Sequence, residues 1–302
     1  MSLLTDLSQL NTSKYNRFFV IGCSFTEWHW PTWANLIAEE HPHLEFISFA
    51  KPGQGNTYIS TMLNQLSYSH NLCETDLVGI LWSTFHRRDY YTSLTGISPL
   101  KDIVKNVNQE VVTHNLHNWN MHGDSIHSQL HNNDVGFCDR GFLIRDLAII
   151  DNTTKIIEQA PYTAFQMFSV EPEKQNSYDL TLSKHLQRNN DDVLSMYSHL
   201  NSKMASKTSL FKEMNYDFTV PTVTWIPSHI PEDSHQTEND YHPSSSIYCQ
   251  FLQNNGYKVT QHTIDKCKLF DAKIQQTTRA MHLQDDDSWP YKTQSPNKPW
   301  PL

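Results

Sequence analysis

Arg17-Phe18-Phe19-Val20-Ile21-Gly22-Cys23-Ser24-Phe25-Thr26 is the stretch on which the fold turns. Successive side chains of a strand point to opposite faces, so a run that is apolar at every position, as Phe18 to Ile21 is, must be covered on both faces. Residues 17–22 therefore read as a buried strand of a parallel sheet, and the glycine with the small polar residues after it reads as a sharp turn at the strand's carboxyl end.

Outward from this point the pattern alternates. Residues 31–40 begin at Pro31 and place Trp33, Leu36 and Ile37 on one helical face. Residues 44–50 read as a second strand. The turn Lys51-Pro52-Gly53-Gln54-Gly55-Asn56 leads to a helix over 57–67, with Ile59, Met62, Leu63 and Leu66 aligned, and residues 76–82 form a third buried strand. Strand and helix in alternation, with short connections, specify an α/β protein with a mostly parallel sheet flanked by helices. Further along, 140–159 is helical, 161–170 a fourth strand, 218–226 an extended or edge segment broken by Pro221, and 244–255 a helix stopped at Gly256. Residues 92–135 are polar, rich in Asn and His, and read as an insertion. The end carries Asp285-Asp286-Asp287 and two Trp-Pro pairs and reads as an extended tail. The expected organisation is an N-terminal segment 1–16, a domain 17–256 containing the insertion, and a C-terminal helix and tail over 257–302.

The 302 residues suffice for a sizeable core, and 38% hydrophobic with 12% aromatic residues excludes a wholly disordered chain. A net charge of −9, with no basic stripe, argues against nucleic acid as a partner. The sequence contains no apolar run long enough to cross a membrane. The start, Met1 to Asn16, lacks the basic and apolar regions of a signal peptide, which argues for the producing cell's cytoplasm, or a virion if the chain is a phage protein. Five cysteines without a close pair suit a reducing compartment.

In open parallel sheets ligands bind beyond the carboxyl ends of the strands. Those ends carry Ser24, Gly53 and the segment Trp82-Ser83-Thr84-Phe85-His86-Arg87-Arg88. Far downstream, Asp240-Tyr241-His242-Pro243 precedes the helix starting near Ser244. Ser24 on a sharp turn, an imidazole as base and a carboxylate to orient it are the parts of an activated serine nucleophile. Gly53 permits close backbone approach and an oxyanion-binding N–H.

Gly22-Cys23-Ser24-Phe25-Thr26 resembles the first block of the SGNH (GDSL-like) hydrolases, Ala50-Lys51-Pro52-Gly53-Gln54-Gly55-Asn56 their glycine block, and Asp240-Tyr241-His242-Pro243 their C-terminal block. The GCSFT variant, the Pro-Gly-x-x-Asn turn and the Trp-Ser pair followed by Arg are similar to a bacteriophage-encoded branch. The resemblance covers about 17–90 and 218–255. It implies a flavodoxin-like three-layer α/β/α sandwich and a serine esterase. Its catalytic residues would be Ser24, Asp240 and His242, and Ser24, Gly53, Asn56, Ser83, Arg87 and Arg88 would contribute to oxyanion or substrate binding. The implied substrate is an ester, such as an O-acyl group on a carbohydrate. Three departures stand out. The acidic residue preceding the serine is replaced by Cys23. The Asn of the third block is missing from Trp82-Ser83-Thr84-Phe85, so one Arg of the pair is expected in the cleft as a substitute donor. Asp240 and His242 are separated by one residue where two are usual.

Each residue also has a plainer reading. Ser24 can be a helix N-cap, Cys23 a small buried hydrophobe, Gly53 and Gly55 turn formers, and Arg87 and Arg88 surface or salt-bridge residues. Asp233-Ser234-His235 offers a second Asp-x-His pair without the following Pro and helix. His114, His117, His122, His127 and His131 fit no zinc spacing, and no metal or organic cofactor is expected. The alternative to an esterase is an SGNH-like structural or interaction protein with weak or lost turnover, its Trp-Pro tail docking on a protein partner or a second copy.

Overall fold

A computed structural model describes residues 2–28, 30–51, 54–85, 139–169, 191–210 and 242–276, with the short strands at 89–90, 120–121, 223–225 and 238–240. In chain order the elements are β1 Leu3–Leu4, β2 Arg17–Ile21, α1 Trp33–Glu40, β3 Glu45–Ser48, α2 Asn56–Ser69, β4 Asp76–Trp82, β5 Asp89–Tyr90, β6 Asn120–Met121, α3 Asp139–Glu158, β7 Thr163–Phe168, α4 Asp191–Asn201, β8 Val223–Trp225, β9 Glu238–Asp240, α5 Ser245–Asn254 and α6 Gln261–Gln276.

The main sheet has the order β1-β7-β4-β2-β3, and every pairing in it is parallel. β4 is buried at all seven positions, as the unbroken apolar run from Leu77 to Trp82 requires of the last six. Helices cover both faces. Trp33, Leu36, Ile37, Tyr248, Phe251 and Phe270 of α1, α5 and α6 share one core with Phe18 and Leu81. Ile59, Leu63, Leu147, Ile150 and Leu200 of α2, α3 and α4 share the other with Phe19 and Ile80. The expected three-layer α/β/α arrangement is therefore present. Gly79 lets rings cross the middle of β4: a Cβ there would lie 2.7 Å from Phe165 Cζ and 3.0 Å from Trp33 Cη2.

The register is pinned at the amino ends of the central strands. Arg17 faces Asp76 across the β2–β4 pair and donates to both carboxylate oxygens at 2.7 Å. Asp76 is fully buried and also accepts the Cys73 N–H. Such a bidentate, charge-assisted pair satisfies a carboxylate that would be costly to bury alone.

Two features extend past the expected domain limits. Leu3–Leu4 adds a fifth parallel strand on β7, with Leu7 buried behind it. At the other end, Cys267 and Phe270 of α6 belong to the core. The extended segment near 218–226 contributes β8, which pairs antiparallel with β9 in a separate two-stranded sheet. Of the polar insertion, only Asn120–Met121 is described, paired with β5. The remainder of the insertion, with its histidines, and the Trp-Pro tail lie outside the described residues.

Candidate active site

β2 connects through α1 to β3 on one side, and the chain then crosses to β4 on the other side of β2. The helix after β2, α1, and the next helix after β4, α3, pack on opposite faces of the sheet, the arrangement that in open α/β sheets places a ligand crevice at the carboxyl ends of the two strands. Ile21 and Ile80 are register partners, so Ser24 and Ser83 follow adjacent strands that lie roughly 4.8 Å apart.

The Ser24 turn is tightly built. The Cys23 carbonyl accepts the N–H groups of Thr26 and Glu27, at 2.9 and 3.1 Å, and the Gly22 carbonyl accepts the Lys51 N–H. Gly22 is required by packing: a Cβ there would lie 2.0 Å from Thr26 Oγ1 and 3.3 Å from the Leu81 carbonyl oxygen. Thr26 is held in turn by Trp33 Nε1, which donates to its hydroxyl, and by Thr32 Oγ1, which donates to its carbonyl at 2.7 Å. Glu27 accepts the Ser48 hydroxyl at 2.8 Å, tying the turn to the end of β3. Cys23 is completely buried in the core, in keeping with its reading as a small hydrophobe. The helix-cap reading of Ser24 does not hold, because α1 starts at Trp33 with Thr32 as N-cap, and the Thr32 N–H donates to Asn35 Oδ1. Ser24 is 4% exposed.

The downstream block docks onto the same end of the sheet. The His242 ring stacks on Trp28 at 3.6 Å between centroids and 18° between planes, with Phe25 at 5.1 Å. Trp30 Nε1 donates to the Pro243 carbonyl at 2.7 Å, and the Ser245 hydroxyl donates to the Pro31 carbonyl. Asp271 of α6 accepts the N–H groups of Ser245 and Ser246, supplying the carboxylate that the amino end of α5 favours. These contacts seat His242 beside the residue that follows Ser24. The ring is held by stacking, and among the described residues no hydrogen bond joins it to Ser24. The backbone of Asp240 pairs with Val223 at the end of β9.

Asn56 departs from its expected role. Its Oδ1 accepts the Ser83 N–H at 2.8 Å, while Nδ2 donates to the Ser83 carbonyl at 3.3 Å and to Asp146 Oδ2 at 3.0 Å. Both amide hydrogens are spent inside the protein and the side chain is fully buried. Asn56 is thus a clamp that fixes the end of β4, not an open donor to substrate. Asp146, itself fully buried, also receives Arg145 through Oδ1 at 2.8 Å. The Ser83 hydroxyl is buried without a partner among the described residues. Burial holds the Lys51 ammonium below its ordinary value of 10.5.

Gly53, Arg87, Arg88 and the alternative pair Asp233 and His235 lie outside the described residues, as does the side chain of Asp240. Sequence reasoning missed Trp28 and Trp30. Their signal was the pair of tryptophans directly after the first block, an aromatic platform waiting for a partner. Among the described residues no group of three or more His, Cys, Asp or Glu is placed to hold a metal ion, and no helix is long and apolar enough to cross a membrane.

No family model and no curated protein matches the chain. Among solved structures it is similar to a member of the lipolytic protein G-D-S-L family from Veillonella parvula DSM 2008. The identity is 7%, the match covers 80% of this chain and 94% of that one, and the TM-score is 0.33.

Proposed function

We propose that the chain is a serine esterase of SGNH type. The observation that carries this reading is the packing of His242 against Phe25 and Trp28, at the sheet end where Ser24 follows β2. In the proposed mechanism Ser24 Oγ attacks the ester carbonyl as His242 takes its proton. Asp240 orients the imidazole and stabilises its charged form. The N–H groups of Ser24 and Gly53 hold the oxyanion, and the clamp of Asn56 on Ser83 keeps the neighbouring strand end in place. His242 returns the proton to the leaving alcohol, and water then releases the acid from Ser24 by the same steps. An O-acyl group on a carbohydrate is the substrate class implied by the resemblance to the SGNH hydrolases alone. The second reading, a binding protein with little turnover, draws support from the face-on stack of His242 on Trp28. Hydrolysis of a p-nitrophenyl ester separates the two. Turnover abolished by Ser24→Ala and indifferent to chelator supports the esterase, and turnover unchanged in that variant refutes it.

A further inference from the structure

α5 and α6 form an antiparallel hairpin. Ser245, the first residue of α5, and Ser246 donate their N–H groups to Asp271, in the carboxyl half of α6, at 2.9 and 3.1 Å. That contact sets the register. Cys249 stands one turn along α5 from Ser245, and Cys267 stands one turn back along α6 from Asp271. Steps of four residues in opposite directions along antiparallel helices cover the same ~6 Å of rise, so the two cysteines face each other across the hairpin. Both are buried, in one core with Phe251 and Phe270. Helices packed through side chains as small as these have axes about 8 Å apart, with each Cα about 2.3 Å off its axis. Facing Cα atoms then fall within the roughly 4.4–6.8 Å that a disulfide spans.

The two thiols are free, in contact, and not equivalent. Cys267 donates towards Cys249 and so holds the Cys249 thiol below its ordinary 9.0, against burial and the charges of Glu40 and Asp271. The same contact, with burial, pushes Cys267 above that value. Cys249 also keeps the greater access, 4% exposed against 1% for Cys267. The thiolate is the reactive form of cysteine. A sulfur that ionises more readily and is less enclosed, set beside a second thiol, is the arrangement of an attacking and a resolving cysteine.

We propose that Cys249 and Cys267 are a redox-modification site, a pair that a peroxide closes into a disulfide, stapling α5 to α6 one turn into the helix that follows His242. The Cys249 thiolate attacks one peroxide oxygen; the S–O bond forms, the O–O bond breaks, and the leaving hydroxide takes up the proton that Cys249 released. The Cys267 sulfur then attacks the Cys249 sulfur; the S–S bond forms, the S–O bond breaks, and the hydroxyl leaves as water with the Cys267 proton. Two thiols are oxidised by two electrons while one peroxide is reduced to two waters. This pairing does not depend on the esterase reading.

The test treats the reduced full-length protein with hydrogen peroxide under native conditions, at a dose that oxidises the exposed Cys73, and maps it by peptide mass spectrometry without reduction. The expected product is one linked pair of peptides holding Cys249 and Cys267, lighter than their sum by two hydrogens and separated again by dithiothreitol. Closing a loop of about 18 residues should raise the melting temperature by about 5 °C, and the gain should be absent in Cys249→Ala and Cys267→Ala. The wild-type map and its melting shift decide the matter alone if either variant fails to fold. The proposal is overturned if both cysteines stay unmodified, if they are oxidised separately to sulfinic or sulfonic acids, or if either links to a different cysteine. A melting temperature that does not rise on closure, or a gain that survives in either variant, also overturns it.

Discussion

Replacing Asn56 tests whether the end of β4 is held by a side chain or by the sheet alone. The carboxamide makes three bonds, at 2.8 Å to the Ser83 N–H, 3.3 Å to the Ser83 carbonyl and 3.0 Å to Asp146 Oδ2. All three residues are buried to within 1% of full, so water cannot replace the lost partner. A buried polar group left unsatisfied costs about 1–3 kcal/mol. The longest bond belongs at the low end, and losses in one network are not additive. Asn56→Ala is therefore expected to cost about 3 kcal/mol, read as a lower urea midpoint with unchanged slope. Asn56→Asp keeps the acceptor for the Ser83 N–H but sets a carboxylate against Asp146 and against the Ser83 carbonyl. Its burial and the like charge raise the introduced carboxyl's pKa in the folded state. The folded form then binds more protons than the unfolded one, so the deficit relative to wild type grows as pH rises and shrinks in acid. At pH 7 this variant should be less stable than Asn56→Ala. Stability within ~1 kcal/mol of wild type for the alanine variant, with no pH dependence for the aspartate variant, would refute the clamp and return Asn56 to the cleft as a donor to substrate.

Other perturbations probe the surrounding structure. Gly22→Ala drives a methyl group into Thr26 Oγ1 at 2.0 Å; it should cost about 1–3 kcal/mol by thermal or urea unfolding and lower ester turnover, with part of the stability recovered by adding Thr26→Ala. Trp28→Ala removes the stack under His242, worth about 1 kcal/mol, and should depress turnover more than Trp28→Phe, which keeps a ring in place. His41 bridges Thr12 and Tyr257 at 2.9 and 2.8 Å, and burial, reinforced by His43, holds its pKa below the ordinary 6.5. Between that depressed value and 6.5 the unfolded chain binds the extra proton, so stability should fall as pH drops below 6.5; His41→Asn should flatten that decline, and an unchanged decline would exclude His41 as its source.

The parts of the fold that depend on unbroken or periodic apolar patterns were legible in the sequence. β4 was read at its observed limits, since the six apolar or small residues in a row after Asp76 leave no solvated face. The aligned residues Trp33, Leu36 and Ile37 marked the buried face of α1. Gly256 was read as the stop of α5, and its φ of +86° is the left-handed conformation that glycine tolerates. β1 was not legible, because two leucines carry no period and pair only where β7 offers a bare edge. The role of Asn56 was hidden for a different reason. An Asn after a glycine turn looks like a free polar group, and its partners Ser83 and Asp146 come from distant parts of the chain. Ser24 was ambiguous between cap and nucleophile in the sequence, and Thr32 at the N-cap of α1 removes the first reading while the second stays a proposal. The placement of His242 depended on Trp28, Trp30 and Asp271, none of which belongs to the block that drew attention to it.

In the proposed mechanism Ser24 is a nucleophile activated by His242. A fluorophosphonate reacts covalently with such a serine and leaves a tag that peptide mass spectrometry can locate. Labelling is expected at Ser24, lost in Ser24→Ala and strongly slowed in His242→Ala, with both variants folded by circular dichroism. No labelling of the folded wild-type chain, labelling at a residue other than Ser24, or an undiminished rate in His242→Ala would contradict it.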